Sequence, residues 1–236
     1  MRLPSLPRWI AHRGGGKLAP ENTLAGIRLA ARLGYRAVEF DVMLSADGTP
    51  LLIHDETLER TTNGSGPVCE TPDAVLFALD AGDGERLPRF AQAAALCREL
   101  GLLANVEIKP ATGHELATAE VVARMTADLW RGAAVPPLIS SFSLAALEVA
   151  RDLAPEIRRG VLFEAPPPDW LAQLQRLQAV SLHCDADLLS DEVLAEAQAH
   201  DIPVLCYTVN APEQAKTLFA RGVSALFTDR LDLFAQ

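Results

Sequence analysis

Short β-branched or apolar runs alternate along this chain with longer Ala/Leu-rich segments, and that alternation restricts its fold more than any other feature. A strand-length apolar run followed by a segment of helical period is a βα unit, and repeated βα units build a parallel sheet. The strand candidates are "RWIAH", "AVEFDVML", "PLLIHD", "LLANVEIK", "PLISSF", "RGVLFE", "AVSLHC", "IPVLCYTV" and "SALFTD". Helix formers at helical spacing fill the segments around Thr23–Leu33, Pro88–Leu100, Leu116–Arg131, Leu144–Leu153, Asp169–Leu177, Ser190–His200 and Pro212–Arg221. Gly34, Gly101 and Gly222 follow helices as C-terminal caps should, while Asn210 with Glu213 three residues on has the pattern of a capping box. The whole pattern predicts an α/β fold, a (β/α)₈ TIM barrel, which a chain of 236 residues can form as one domain spanning 1–236.

Two departures distort that barrel. Only "SADGT" separates the second and third strand candidates, too short for a parallel crossover, and its Asp-Gly is a hairpin signal. A crossover helix is therefore missing there. Residues 55–87, with "TTNGSG" and "DAGDGERLP", carry no strong helical pattern and read as an insertion over the barrel mouth.

Composition excludes several functions. Apolar residues make up 49% and charged residues 22%, ordinary values for an ordered globular protein. Acidic residues outnumber basic ones by 31 to 21 with no basic stripe, so no nucleic-acid partner is expected, and a phosphate ligand would need a local cationic site. "MRLPSLPRWIAHRG" lacks a signal-peptide core and no apolar run reaches membrane-spanning length, so the expectation is a cytoplasmic protein without a membrane partner. Cys69, Cys97, Cys184 and Cys206 lie far apart with no Cys-x-x-Cys pair, which argues against zinc and for reduced structural thiols.

Strand alternation points to the chemistry. In "AVEFDV" the apolar Val38, Phe40 and Val42 share one face and Glu39 and Asp41 the other; in "NVEIKP", Val106 and Ile108 oppose Glu107 and Lys109. If the apolar faces meet the helices, Glu39, Asp41, Glu107 and Lys109 point into the barrel. Unpaired carboxylates there would be prohibitively costly, so they need a cation. A hard, oxygen-preferring ion fits, one Mg²⁺ or Ca²⁺; a metal-free ion network with Lys109 and Arg13 is the competing reading. His54 ends its strand candidate close to Glu39 and Asp41 through the short hairpin. "HRGGGKLAPENT" sets His12 and Arg13 against three glycines, either an anion site with free backbone N–H groups or only a tight strand-to-helix turn. Two histidines as acid and base, a metal with Arg and Lys to neutralise a phosphoryl oxygen, and glycine N–H groups would together cleave a phosphodiester at the C-terminal strand ends.

The ordered blocks "AHRGGGKLAPENT", "VEFDVMLSADGTPLLIHDETLERTTNGSG", "NVEIKP", "CYTVN" and "FTDR" resemble the glycerophosphodiester phosphodiesterase family, most closely its bacterial cytosolic members associated with glycerol-3-phosphate uptake. The resemblance implies metal-dependent hydrolysis of glycerophosphodiesters such as glycerophosphocholine and glycerophosphoethanolamine to sn-glycerol 3-phosphate and an alcohol. It implies His12 and His54 as the acid–base pair, Glu39, Asp41 and Glu107 as metal ligands, and Arg13 and Lys109 as phosphate ligands. Tyr207 stands where the family often carries Trp, an aromatic wall with an added hydroxyl on the substrate side. Phe142 and Phe163 are candidates for shaping the glycerol side, while Glu21, in "PENT" at a helix start, reads first as structural and only second as supporting the site. His183 and Asp185 face the mouth if their strand is assigned correctly, whereas His114 and His200 read as solvated. Alternatives are a lysophospholipase D, a phosphoinositide-type phosphodiesterase, or a non-catalytic phosphate-binding barrel. The expected partner is the small-molecule substrate, with the chain a monomer or homodimer.

Overall fold

The computed structural model describes residues 6–234, so the first five residues of the stretch read above for a leader lie outside it. Eight parallel strands close into a barrel: β1 (Trp9–Ala11), β2 (Ala37–Leu44), β4 (Leu103–Ile108), β5 (Leu138–Ser141), β6 (Arg158–Phe163), β7 (Ser181–Asp185), β8 (Val204–Tyr207) and β9 (Ala225–Thr228). Pairing of Ala11 with Val38 joins β1 to β2, and pairing of Trp9 with Leu226 joins β1 to β9. The candidate in excess of the eight a barrel needs is "PLLIHD", which forms β3 (Pro50–Leu52), runs antiparallel beside the end of β2, pairing Leu52 with Val42, and stands outside the barrel. This accounts for the missing crossover. The connection that counts runs from β2 to β4, and its helix is α3 (Phe90–Leu100).

The remaining helices are α1 (Leu24–Arg32), α2 (Asp73–Leu76), α4 (Glu115–Leu129), α5 (Leu144–Leu153), α6 (Trp170–Arg176), α7 (Asp191–Ala199) and α8 (Pro212–Arg221). Thr23, Ser143 and Ser190 cap α1, α5 and α7 by accepting a backbone N–H with their hydroxyls, and Gly101 and Gly222 end α3 and α8 in the left-handed conformation. The capping box expected at Asn210 does not form. Ala211 is the N-cap of α8, and the Asn210 side chain is drawn instead to Asp229 and Thr228.

Apolar surface is buried in separate layers. Val38, Phe40, Val42, Val106 and Ile108 face the helices and pack with Phe90, Ala93 and Trp130. Ile10, Ala37, Leu103, Leu205, Ala225 and Phe227 form an apolar cluster within the barrel. Alternation therefore works as expected, sending one face of each strand to the helices and the other to the axis.

Residues 55–87 contain a 3₁₀ turn at Val68–Glu70 and α2, and surround a small core of Met43, Leu51, Ile53, Leu58, Val68, Leu76, Ala81 and Leu87. Asp73 accepts hydrogen bonds from the hydroxyls of Ser45 (2.6 Å) and Thr49 (2.7 Å), tying the insertion to the β2–β3 hairpin. It flanks the mouth without covering it, since no residue from 55 to 87 lines the central cavity. Cys97, Cys184 and Cys206 are buried, Cys69 is half-buried, and all four thiols are free. No helix among the described residues is long and apolar enough to cross a membrane.

Candidate active site

A cavity of ≈ 800 Å³ opens at the C-terminal strand ends and brings together His12, Arg13, Glu39, Asp41, His54, Glu107, Lys109 and Tyr207. Glu39, Asp41 and Glu107 each offer a carboxylate oxygen within 4.8 Å of the other two, all buried. Cα pairing of Asp41 with Glu107 across β2 and β4 produces this convergence. Asn22 locks Asp41 in place: its Nδ2 donates to Asp41 Oδ2 (2.9 Å) and its Oδ1 accepts from the Asp41 backbone (3.1 Å).

The cluster holds more negative charge than its surroundings satisfy. Burial, then the neighbouring carboxylates Asp41 and Glu107, push Glu39 well above the usual range. Burial and Asp41 push Glu107 up to about 7, against the opposing pull of Lys109. Burial also works against Asp41, but His54, Lys109, Arg13 and the Asn22 hydrogen bond outweigh it and its pKa is lowered. Glu39 Oε1 is buried with no hydrogen-bond partner. An all-oxygen donor set of this kind fits a hard divalent cation.

Each histidine is held by a carboxylate on Nδ1. His12 Nδ1 lies 2.7 Å from Asp229 Oδ1, and His54 Nδ1 lies 2.7 Å from Asp55 Oδ1. This places the Nδ1 proton toward the carboxylate and leaves Nε2 to act on the cavity side. His12 Nε2 lies 3.9 Å from Glu39 Oε2, and His54 Nε2 accepts from Lys109 Nζ at 3.1 Å. Lys109 Nζ also lies 3.3 Å from Glu107 Oε1. Burial, helped by the cations Lys109 and Arg13, holds His54 below the ordinary histidine range despite Asp41 and Asp55.

Arg13 lines the cavity with a left-handed backbone (φ 49°), donates to Glu21 Oε1 at 2.9 Å and lies 3.8 Å from Asp41 Oδ2. The three glycines do not offer N–H groups to a ligand. Gly14, Gly15 and Gly16 donate to the carbonyls of Glu39, Arg13 and His12, and none lines the cavity. Their role is close packing: a Cβ on Gly16 would stand 2.4 Å from the Asp229 carbonyl oxygen, and one on Gly15 2.9 Å from Gly26 Cα. Of the two readings of this stretch, the tight turn holds for the glycines while His12 and Arg13 reach the cavity.

Tyr207 forms a wall of the cavity, edge-on to Phe142 with ring centres 5.9 Å apart. Its hydroxyl donates to the Phe163 carbonyl (2.9 Å) and so is not free for a substrate. Phe163 itself packs toward the helices; Leu162, the inward neighbour on β6, lines the cavity. Asp185 reaches the rim, but His183 sits one inward position lower, fully buried against Phe227 and Ser181, pushed down to about 3 by burial. Gly160 makes room for that ring, since a Cβ there would lie 2.5 Å from His183 Nε2. His114 and His200 are exposed.

Asp229, Asp55, Asn22 and Asn105 received no individual role from sequence, and Asn210 only that of a helix cap. Asn105 had the clearest signal, because alternation in "NVEIK" puts it on the Glu107 face; it lines the cavity with both amide atoms unpartnered. The carboxylates behind the histidines had only adjacency or a strand end to mark them.

A parallel barrel with buried carboxylates, imidazoles and cations gathered at its C-terminal mouth defines an enzyme of the (β/α)₈ class suited to an anionic substrate. The profile of the Glycerophosphoryl diester phosphodiesterase family matches residues 12–233. A glycerophosphodiester phosphodiesterase of Caldanaerobacter subterraneus is 31% identical over 227 residues, covering 93% of each chain. Among solved structures, an Oleispira antarctica phosphodiesterase in complex with the product sn-glycerol-3-phosphate superposes with a TM-score of 0.90 at 37% identity, covering 95% of this chain and 93% of that one. A glycerophosphodiester phosphodiesterase of Agrobacterium tumefaciens gives 0.80 at 27% identity, covering 98% and 99%. The chain belongs to the glycerophosphoryl diester phosphodiesterase family.

Proposed function

We propose that this enzyme hydrolyses glycerophosphodiesters such as glycerophosphocholine and glycerophosphoethanolamine to sn-glycerol 3-phosphate and the free alcohol. The supporting observation is the pair of imidazoles, each fixed at Nδ1 by a carboxylate with Nε2 beside the acidic cluster. The product bound by the Oleispira antarctica relative has the chemistry this reaction would release.

Glu39, Asp41 and Glu107 would hold one divalent cation, Mg²⁺ or Ca²⁺. Such an ion supplies Lewis-acid neutralisation of phosphoryl charge. Arg13 and Lys109 bind the phosphate and draw its non-bridging oxygens to one side of the cavity. One histidine Nε2 takes a proton from the nucleophile, water or the adjacent glycerol hydroxyl, as its oxygen bonds to phosphorus; the other, as imidazolium, gives a proton to the alcohol oxygen as its bond to phosphorus breaks, and where the glycerol hydroxyl attacks, water then opens the cyclic phosphate to glycerol 3-phosphate. Each transfer contributes about 10²–10⁴-fold. The Tyr207 and Phe142 rings contact the apolar edge of the substrate.

Release of glycerol 3-phosphate from glycerophosphocholine by EDTA-stripped protein, with no metal, Mg²⁺ or Ca²⁺, tests the reading. Activity restored by an ion supports it; binding of the diester without turnover in any condition overturns it in favour of a phosphate-binding barrel. Phe142 and Leu188, 40% and 50% exposed at the cavity, favour one second reading, a lysophospholipase D with an apolar approach for an acyl chain. Faster turnover of lysophosphatidylcholine than of glycerophosphocholine would establish it.

A further inference from the structure

Arg60, in the insertion and outside the cavity, is the hub of a hydrogen-bonded chain that reaches two cavity residues. Its Nε and Nη2 donate to Asp55 Oδ2 (2.6 Å) and Oδ1 (2.9 Å), while Nη1 and Nη2 donate to Glu21 Oε2 (2.7 Å) and Oε1 (2.8 Å). Asp55 in turn holds His54 Nδ1, and Glu21 accepts from Arg13 Nη1. One guanidinium therefore grips both carboxylates that orient the imidazole of His54 and the guanidinium of Arg13.

We infer that Arg60 is a positioning residue of the enzyme, clamping His54 and Arg13 in mutual register through Asp55 and Glu21. The inference rests on the proposed roles of His54 and Arg13.

Three features separate this from an ordinary surface ion pair, which contributes little. Both contacts are two-pronged, and the planar fork of arginine fixes direction as well as distance. The anchor is rigid: Leu58 is buried at 1% exposure in the core of the insertion, and Thr62 closes a turn onto its carbonyl through both backbone and hydroxyl. The two carboxylates also need the cation. The Arg60 hydrogen bonds are the largest influence holding Asp55 below the usual carboxylate range, and the leading one offsetting burial at Glu21. Without Arg60, two anions would be left facing each other, Asp55 would be free to turn from His54, and Glu21 would compete for Arg13.

The insertion thereby acquires a role despite standing beside the mouth. It works through the orientation of groups that line the cavity, and a misplacement of about 1 Å in such groups can cost roughly 10² in rate.

The test compares wild type with Arg60→Ala, Arg60→Lys, Asp55→Asn, Glu21→Gln and the double variant Arg60→Ala/Asp55→Asn. The readouts are kcat and KM for glycerophosphocholine, thermal unfolding, and the low-field proton NMR signal of His54 Nδ1–H, assigned by its loss in His54→Ala. Asp55→Asn should lower kcat, and Glu21→Gln should chiefly raise KM. Arg60→Ala should do both, with kcat down about 10²-fold, and should lose or broaden the His54 signal. The double variant should lower kcat no further than the worse single change, because both act on one chain of contacts. Arg60→Lys keeps the charge and the fold but cannot fork to both carboxylates, so it should recover little activity. The inference is overturned if Arg60→Ala leaves kcat, KM and the His54 signal unchanged, if Arg60→Lys restores all three, or if the double variant is fully additive. Should the wild type release no glycerol 3-phosphate, the proposed function fails, while the His54 signal in the Arg60 variants still decides the clamp.

Discussion

At the scale of single residues, the site is made of groups that would be too costly in isolation and are made tolerable by one another. His54 is half-buried and held below its ordinary pKa by burial and by Lys109, so its neutral, proton-accepting form persists to lower pH than in a free histidine. His54→Ala should fold normally and lose at least about 10²-fold in kcat, measured as glycerol 3-phosphate release beside an unchanged circular dichroism spectrum. Asp229→Asn keeps the size of the residue that backs His12 but removes its charge. It should lower kcat with little change in metal affinity, whereas Glu107→Ala should lose metal affinity by calorimetry as well. Wild-type turnover in any of the three would refute the site assignment. His183 shows the opposite case: fully buried, without a carboxylate or a place on the cavity wall, it stays a neutral packing residue.

At the scale of elements, the Gly-rich turn and the β2–β3 hairpin place the functional groups. The turn carries β1 into α1 while keeping His12 against Asp229, and Gly16 allows this because it takes a φ of +55° with no Cβ to strike the Asp229 carbonyl. Gly16→Ala should therefore destabilise the protein by about 1–3 kcal/mol in urea unfolding and lower kcat by displacing Asp229 from His12. An unaltered urea midpoint would refute the account. The hairpin returns the chain beside β2, and the Ile53 N–H donates to the Asp41 carbonyl at 3.2 Å, which sets His54 next to the acidic cluster. A full crossover would have carried His54 to another part of the barrel. The alternation of Phe40 with Glu39 and Asp41 does the complementary work: Phe40→Ala should cost about 3–5 kcal/mol by opening a cavity among Phe90 and its neighbours, read from the same unfolding experiment.

At the scale of the whole molecule, stability and function are coupled through the buried acids. Glu107 is raised to about 7 and Glu39 is also raised in the metal-free protein, so both retain protons in the folded state at pH values where the unfolded chain has released them. The unfolded state then binds fewer protons, and stability falls as pH rises from the ordinary glutamate value near 4.5 toward 7. In EDTA the contribution of these groups should lower the melting temperature across that window. A saturating divalent ion should remove the decline, since it takes the place of the protons. Near pH 6, calorimetry in buffers of different ionisation enthalpy should show proton release on Mg²⁺ or Ca²⁺ binding. Metal binding without proton release would show that the carboxylates are already ionised and paired within the protein.

Much of this was legible from residues alone wherever chemistry depends on local spacing. Period-2 alternation marks Glu39, Asp41 and Glu107 as inward groups because adjacent strand side chains must point to opposite faces, and it marks Asn105 by the same rule. The Asp-Gly signal and the short "SADGT" link determine the hairpin, because five residues cannot span a parallel crossover. What sequence could not decide were contacts that depend on barrel closure and on the competing demands of backbone groups. The glycine N–H groups are taken up by main-chain carbonyls, Asn210 leaves its helix for Asp229, and the Tyr207 hydroxyl turns to Phe163. Asp229 backs His12 from 217 positions away, and Arg60 meets Glu21 from 39. Strand order and register bring such partners within hydrogen-bond reach, and only the folded chain determines them, since no local propensity sets the distance between side chains that the barrel itself brings together.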